Sequence, residues 1–317
     1  ADTAVALGAD FHPVPVADSD YLTGLDAAVF FSEGVASNGQ LVAKWALAQA
    51  VGRAGFKVLL TGEGADEAFL GYAHLLEDAG CLTDRPHHQV GVMLPSGGTP
   101  PETRGFEALA GGVPTFLAAK GELGRRLRAL CAPDTVPDPE ARFRRLAESL
   151  GPELGDRAPV ERSAVAWTRL ALAGYILRTL GDGTEMAAGV EGRPPFLDHH
   201  LFEHAWASPI AARIAGGVEK ASLRAALATW LPAAVTTRRK HPFLAPPLPD
   251  SQAHAVRDRL TAAQLTAAPF LDATLVHRFL DAWTGSAGPP RTAMDPVLTL
   301  LLTLVSLGRQ FGLTAWA

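Results

Sequence analysis

A chain of 317 residues is long enough for one large domain or two ordinary ones, and its 48% hydrophobic content can fill a core. The net charge of −5 argues against a nucleic-acid-binding protein, which needs a basic face. No apolar run reaches the roughly 20 residues of a membrane span, and no signal peptide opens the chain, so we expect a cytoplasmic protein without a membrane partner. Cys81 and Cys131 have no metal-site spacing and indicate no disulfide framework.

The first 60 residues predict helices that lead into a short strand. Residues 2–8 are typical of the end of a helix. Residues 11–16 alternate apolar and polar side chains and contain two prolines, which is typical of an edge strand. Helices are predicted at 18–32 and 40–54. The apolar run at 57–60 then predicts a buried strand of a parallel sheet.

The remaining chain predicts mostly helices. From residue 77 to residue 155 the periodic pattern weakens and Pro, Gly and Arg are frequent, which indicates an inserted, partly irregular excursion. This excursion contains predicted helices at 121–131 and 139–150, and a long apolar helix follows at 158–180. Further helices are predicted at 199–207, 219–229, 254–265, 276–284 and 296–312.

An acidic, glycine-rich turn directly follows the predicted strand. The apolar run ends at Thr61 and Gly62, and the acids Glu63, Asp66 and Glu67 come next. In open α/β sheets, ligands bind at the carboxyl ends of the strands. Acids there repel a phosphate, but they can hold a magnesium ion that binds one, or take a proton from a nucleophile. A solvated turn at the start of a helix is the alternative; three acids and two glycines after a strand favour a site.

Three blocks of sequence, in this order, resemble the signature of the asparagine synthetases. The first, residues 62–67, reads GEGADE and is followed by Gly71-Tyr72. The second, residues 174–198, contains an Asp, a Met-Ala pair and then Glu-x-Arg-x-Pro-Phe-Leu-Asp. The third is the basic run RRKHPF at 238–243. Weaker similarity covers most of residues 5–245, and the layout is similar to that of the larger actinobacterial amidotransferases of this family.

The resemblance implies an α/β fold with a parallel sheet of the ATP-pyrophosphatase type. Residues 1–245 would form this domain, with 77–155 as the insertion, and residues 246–317 would be its helical C-terminal extension. The family's pyrophosphate loop, SGGxDS, has no counterpart here. Residues 96–100, SGGTP, resemble a fragment of it, but they lie downstream of the acidic turn and Pro100 replaces the Asp, so we interpret them as a plain turn.

The resemblance also implies a partner. The loop, the first βα units of the sheet and the glutaminase half, with its N-terminal cysteine nucleophile, are expected to lie in an N-terminal segment or subunit outside this chain. Without such a partner, the parallel sheet would expose apolar surface, because parallel strands are normally covered on both faces.

Roles for individual residues follow from the same resemblance. Thr61 and Gly62 would contact ATP through backbone groups. Asp66 would bind Mg²⁺ facing the pyrophosphate. Glu63 would deprotonate or orient ammonia, and Glu191 would be the second acid of the catalytic pair.

Two further residues complete the predicted site. Asp182 lies where the family contacts the amine end of its substrate, in a predicted loop. Lys240 matches the lysine that stabilises negative charge on the acyl-adenylate and the tetrahedral intermediate. The structural alternatives are a helix N-cap for Asp66, an ion pair with Arg193 for Glu191, a turn for Asp182 and a solvated cation for Lys240.

The implied activity is ATP-dependent amide formation through an acyl-adenylate, with Mg²⁺ as cofactor. The acceptor would be a small carboxylic acid, either aspartate or a specialised acid, and a glutaminase outside the chain would supply ammonia. One alternative is a relative of the β-lactam synthetases or peptide cyclases, which Glu63 disfavours because those relatives have a tyrosine there. The other is a non-catalytic binding subunit, which the missing loop favours and the retained acids disfavour.

Overall fold

A computed structural model describes residues 2–85, 93–238, 240, 243 and 245–313, and it is helix-rich with one small parallel sheet. The strands are β1 (Val58–Leu60) and β2 (Glu191–Arg193). The α-helices are α1 (Asp2–Ala6), α2 (Asp18–Ser32), α3 (Gln40–Arg53), α4 (Ala65–Ala68), α5 (Ala73–Asp78), α6 (Arg104–Ala110), α7 (Thr115–Arg128), α8 (Pro139–Leu154), α9 (Pro159–Trp167), α10 (Gly183–Ala187), α11 (His199–Ala207), α12 (Ile210–Arg213), α13 (Ala221–Leu227), α14 (Ala233–Thr236), α15 (Ala253–Arg259), α16 (Ala262–Leu265), α17 (Ala273–Thr284), α18 (Gly288–Thr292) and α19 (Asp295–Phe311). A π-helix spans Thr168–Asp182, and 3₁₀ turns lie at Pro101–Thr103, Pro195–Leu197 and Asp250–Gln252.

The sheet pairs β1 with β2 in parallel, with Val58 opposite Glu191 and Leu60 opposite Arg193. The strand at 57–60 is therefore present, but the expectation that it is buried is wrong. Val58 is 38% exposed and Leu60 is 69% exposed. An interior strand needs neighbouring strands and covering helices, and the described part of the chain places only β2 beside β1.

The N-terminal region confirms the predicted helices and corrects the predicted edge strand. Helices α2 and α3 occupy residues 18–32 and 40–53. Residues 11–16 run without regular structure and pair with no strand of the described chain. Pro13 and Pro15 lack the N–H groups that a ladder requires, which explains why the alternating pattern does not produce a strand.

The predicted excursion is more regular than its sequence indicates. The predicted helices at 121–131 and 139–150 are present as α7 and α8; α7 begins earlier and ends at Arg128, before the predicted end, and α8 extends further, to Leu154. Asp138 accepts hydrogen bonds from the backbone of Glu140 and Ala141 and so caps α8, with Pro139 at its first position. The helices of this region and α9 share a hydrophobic cluster that includes Phe106, Phe116, Leu117, Phe143, Leu150 and Trp167.

The long apolar helix predicted at 158–180 is confirmed and extends further. Helix α9, the π-helix and α10 follow one another without a break from Pro159 to Ala187. The other predicted helices are also present, except that 254–265 is divided into α15 and α16. The division falls at Thr261, whose hydroxyl accepts a hydrogen bond from the backbone of Gln264 and caps α16.

The largest core joins the two ends of the chain. Leu25 and Val29 of α2 pack in one cluster with Leu298 and Leu301 of α19, and Trp283 of α17 is fully buried there. The segment Gly288–Phe311 is long and apolar enough to cross a membrane by length and composition, in contrast to the expectation from the sequence. More than half of it is buried against the rest of the chain, which is typical of a core helix.

Candidate active site

The acidic turn lies directly after β1, and two glycines allow its shape. Gly64 precedes α4 with a φ of 89°, which a side chain would strain, and a Cβ there would overlap Leu197. A Cβ on Gly71 would overlap the side chains of Asp66 and Lys220. The glycines of the first sequence block are therefore needed to bring charged side chains together at this end of the strand.

Asp66 is a buried carboxylate held between two lysines. Lys240 Nζ donates to Oδ2 at 2.8 Å. Lys220 Nζ lies 2.7 Å from Oδ1 and forms an ion pair with it. Burial by itself would raise the pKa of Asp66, but the charges of Lys220 and Lys240 outweigh it and hold the pKa below its usual value. Two cations on one carboxylate leave a positive charge, which suits a site that stabilises developing negative charge.

Glu67, the next acid in the turn, has the opposite environment. It is 1% exposed, and its Oε1 accepts hydrogen bonds from Trp167 Nε1 at 2.8 Å and from the Tyr72 hydroxyl at 3.0 Å. Burial raises its pKa, and the charge of Asp66 raises it further, although the bond from Trp167 acts in the other direction. Adjacent carboxylates with opposed pKa shifts are typical of functional sites. Glu67 belongs to the first block, but its position in the sequence predicted no role for it.

An aromatic cluster supports this pair of acids. Trp167 and Tyr72 contact each other and the fully buried ring of His74, with ring centroids 4.6 to 5.3 Å apart, and Phe116 packs against them. Neither ring nitrogen of His74 has a hydrogen-bond partner among the described residues. Burial lowers the pKa of His74 to about 3, so the ring is neutral. Lys240 Nζ lies 5.7 Å from the centre of the Tyr72 ring, within cation–π range.

Lys240 is positioned by an ion pair between Glu219 and Arg224, for which no sequence pattern gave a signal. The buried carboxylate of Glu219 accepts a hydrogen bond from the Lys240 backbone N–H at 3.0 Å and forms an ion pair with Arg224. Arg224 Nη1 also donates to the carbonyl oxygens of Thr236 at 2.6 Å and Arg238 at 2.8 Å. These contacts tie the basic loop to the start of α13. The other residues of that loop block, 239, 241 and 242, lie outside the described residues.

Glu63 belongs to a second group of charges. Its Oε1 lies 2.8 Å from Lys44 Nζ, and Lys44 comes from α3. Glu185 lies close enough to Glu63 and Lys44 for their charges to shift its pKa; it is 5% exposed, and its side chain has no hydrogen-bond partner among the described residues. Burial raises its pKa, and the charges of Asp182 and Glu63 add to that effect, while Lys44 opposes it. A Cβ on Gly192 would overlap the Glu185 carboxylate, so this glycine makes room for it on β2.

The seven predicted residues are only partly brought together. Asp66 and Lys240 are in direct contact, as described above. The backbone N–H of Thr61 donates to the Arg193 carbonyl at 3.0 Å, which continues the pairing of β1 with β2, and Gly62 is exposed beside it. The predicted contacts of Thr61 and Gly62 with ATP stay a prediction.

The remaining two predicted residues lie in exposed positions. Glu191 lies on β2 and forms an ion pair with Arg193 at 2.9 Å, which is the structural alternative considered for it. This pair lowers the pKa of Glu191. Asp182 is exposed and helical at the junction of the π-helix with α10, so the expectation of a loop there is wrong. Gly181 and Gly183, which indicated a turn at Asp182, lie inside the continuous helix. The catalytic role of Glu191 and the substrate contact of Asp182 stay predictions.

The arrangement around Asp66 does not fit a magnesium site. Each carboxylate oxygen already has a lysine ammonium within 2.8 Å, and these positive charges repel a dication. Mg²⁺ prefers an octahedron of oxygen ligands, yet the described residues contain no group of three or more His, Cys, Asp or Glu side chains that could hold a metal. The metal role predicted for Asp66 therefore has no support from these contacts.

Comparisons with known proteins agree with the three blocks. Residues 1–309 match the family model described as asparagine synthase. Amidase chyE of Penicillium rubens is 29% identical over 64% of this chain, and amidase chry2 of Gibberella zeae is 24% identical over 98% of it. A Mycobacterium tuberculosis protein named "Putative asparagine synthetase (glutamine-hydrolyzing)" is 28% identical over 77% of it.

The aligned regions cover 33%, 50% and 38% of these three relatives, respectively, so the chain spans half of their length or less. The family model, in contrast, covers nearly the whole chain. The structure brings its three blocks together as well, because β1 and β2 pair and Asp66 of the first block binds Lys240 of the third. The chain belongs to the asparagine synthase family.

Proposed function

We propose that this chain is the synthetase part of an asparagine synthetase-like amidotransferase, which uses ATP to join a carboxylic acid to ammonia through an acyl-adenylate. The observation that carries this proposal is the pair of lysines on the buried Asp66, next to the carboxyl end of β1. This pair concentrates positive charge where a parallel sheet binds its ligands. It is the arrangement expected for a reaction in which negative charge develops on phosphate and acyl oxygens.

The reaction would proceed in two steps. In the first, a carboxylate oxygen of the acceptor bonds to the α-phosphorus of ATP, and the bond to the bridging oxygen breaks, so that pyrophosphate leaves. In the second, ammonia bonds to the acyl carbon, the carbon–oxygen bond to AMP breaks, and the nitrogen loses a proton. Lys240 stabilises negative charge in both steps, and Glu219 and Arg224 keep it in position.

Other residues at the end of the sheet would bind the substrates. Backbone groups of Thr61 and Gly62 contact ATP. Glu63, which Lys44 holds in place, accepts the proton from the attacking nitrogen, and Asp182 faces the amine end of the acceptor. Glu191 acts as the second acid once its pair with Arg193 opens. Magnesium would take its ligands from the phosphates of ATP and from residues outside the described part of the chain.

A partner segment would complete the sheet in the manner of the ATP-pyrophosphatase fold. Val58 and Leu60 are exposed on β1, and Phe56 just before the strand is 59% exposed. Covering these side chains would stabilise the assembly by roughly 25 cal/mol for each Å² of apolar surface. The greater length of the relatives supports a segment that adds strands beside β1 and carries the pyrophosphate loop and a glutaminase.

The test is pyrophosphate release by the natural assembly, purified from its source, with ATP and a panel of carboxylic acids. We expect acid-dependent release, and we expect Lys240→Met to lower kcat by about 10²- to 10³-fold, in the range seen when one group that stabilises transition-state charge is removed. Arg125→Met is the control, since it also removes a positive charge and Arg125 is exposed on α7, away from the strand surface that the partner would cover. The proposal would be overturned if none of the tested acids triggered pyrophosphate release, or if both variants lost the same fraction of kcat. A requirement for ammonia, as opposed to an amine within the acid, separates amide formation from cyclisation.

A further inference from the structure

A large cavity among the described residues is lined by none of the seven predicted residues. Its volume is about 1180 Å³, above the range of about 300–1,000 Å³ that is usual for small-molecule pockets. Its walls come from the chain before α2, from α3, from residues 243 and 245–249, and from the region of α18 and α19. A cavity of this size is much larger than aspartate needs.

The cavity and the charged site share structural elements. Val42, Ala43 and Leu47 of α3 line the cavity, while Lys44 of the same helix binds Glu63 at the end of β1. The cavity and the charged site also share the basic loop, because Phe243 lines the cavity and lies three residues after Lys240. The Phe243 carbonyl accepts a hydrogen bond from the Gln40 side chain at the start of α3. The cavity is therefore lined by α3 and by the loop, the two elements that also carry Lys44 and Lys240 of the charged site.

The cavity wall differs in polarity from the charged site. Most of it is apolar, with Val42, Leu47, Phe243, Leu248 and several prolines, and no Lys or Arg belongs to it. Asp295 is one of its few charged residues, and its Oδ1 already accepts a hydrogen bond from Trp283 at 2.9 Å. Placing a second charged group of a substrate in such a cavity would be unfavourable. An acid with a carboxylate at one end and an apolar body at the other matches the cations and the cavity together.

We propose that this cavity binds the apolar body of the acceptor, so that the substrate class is carboxylic acids with a large aromatic or aliphatic group. This inference rests on the proposed function, since it names the substrate of the same site. The carboxylate lies toward Lys240, and the apolar body extends between α3 and the segment that follows the basic loop. Aspartate, which has a second carboxylate and little apolar surface, is then a poor substrate.

The first experiment measures binding to the chain without ATP. The probe is a dansyl-labelled long-chain alkanoic acid, and its primary amide serves as the uncharged control. Ala293→Trp places a large ring in the cavity, because Ala293 lines it and is exposed. We expect this change to weaken binding at least about tenfold, or roughly 1.4 kcal/mol. Ala282→Trp, exposed on α17 outside the cavity, leaves binding unchanged. Thermal melting checks that each variant folds, and Thr292→Phe, also in the cavity wall, replaces Ala293→Trp if that variant does not fold.

A second variant links the cavity to the site. Lys240→Met is expected to weaken binding of the acid about tenfold, as for the loss of a charged hydrogen bond, without changing binding of the amide. Equal affinity of the parent chain, Ala293→Trp and Lys240→Met for the acid would contradict the inference. So would an effect of Lys240→Met that is the same for acid and amide.

Pyrophosphate release by the natural assembly separates this inference from the proposed function. Faster release with aryl or long-chain alkyl acids than with aspartate supports both. Release with aspartate alone overturns the inference and leaves the proposed function in place. If none of the tested acids triggers pyrophosphate release, both the inference and the proposed function are overturned.

Discussion

The two acidic sequence blocks that meet at the sheet differ in how far the chain encloses them. In the acidic turn, Asp66 and Glu67 are buried among lysines and aromatic rings, and their pKa values are shifted in opposite directions. On β2, Glu191 and Arg193 form an exposed pair on a strand that the described residues leave open. The α4 side of the site is thus enclosed by the chain itself, whereas the described residues leave the sheet side exposed. Changes on the enclosed side should therefore affect stability, and changes on the sheet side should affect association.

The largest expected effect is a loss of folding stability at acid pH, which the buried His74 of the aromatic cluster causes. Burial lowers its pKa from 6.5 to about 3. As pH falls between these values, His74 takes up a proton in the unfolded chain but not in the folded chain. The contribution of the neutral His74 to the free energy of unfolding is therefore complete above pH 6.5 and is lost as pH falls toward 3. The shift corresponds to at most roughly 5 kcal/mol. Urea unfolding as a function of pH should show this loss in the parent chain and not in His74→Leu. His254→Leu is the control, because His254 is exposed.

Removal of Trp167 should be next in size. Trp167 is 5% exposed, packs against Tyr72 and His74, and donates a hydrogen bond to Glu67. Trp167→Ala is expected to lower the free energy of unfolding by about 3–5 kcal/mol, as for other buried large-to-small changes. Trp230→Ala, at a side chain that is 78% exposed, is the matched control and should change little. Similar losses in the two variants would show that the cluster does not stabilise the enclosed side.

The ion pair behind Lys240 offers a direct contrast with the pair on the sheet. Glu219→Gln should lower the free energy of unfolding by about 1–3 kcal/mol, because it weakens buried bonds to Arg224 and the Lys240 backbone. It should also lower kcat more than it raises KM, since its effect acts through the position of Lys240. Glu191→Gln, in the exposed pair with Arg193, should leave the unfolding midpoint unchanged. A kcat of Glu219→Gln equal to that of the parent would contradict the positioning role.

The smallest effect on stability is expected on the sheet itself. Leu60→Lys should change the free energy of unfolding of the isolated chain by less than about 0.5 kcal/mol, because Leu60 is already exposed. The same change should weaken association with the proposed partner segment, since it places a charge in the surface that would be covered. Co-purification and sedimentation measure the association. Leu109→Lys is the control, at a leucine that is 53% exposed on α6, and it should leave association intact.

Much of the secondary structure and the order of the site blocks could be predicted from the sequence. The bounds of α2 and α11 agree with the prediction, and the strand before GEGADE lies where the apolar run indicates. These features depend on local patterns: the spacing of apolar residues, capping groups and glycines. The predicted edge strand at 11–16 is absent because its prolines lack backbone N–H donors. The predicted loop at Asp182 is wrong because the glycines that flank it indicate a turn but are also compatible with the helix that continues through them.

Most of the longer helices, the family and the residues at the end of β1 therefore follow from the sequence alone. Tertiary structure alone decided which of these residues meet. The pairing of Glu63 with Lys44, the hold of Glu219 and Arg224 on the basic loop, and the burial of His74 join positions far apart in the chain. The open sheet is decided in the same way, because exposure depends on the neighbours that pack on a strand and not on its own side chains. Local patterns follow from the geometry of a few successive residues, whereas ion pairs, burial and pKa shifts follow from contacts that exist only once the whole chain has packed.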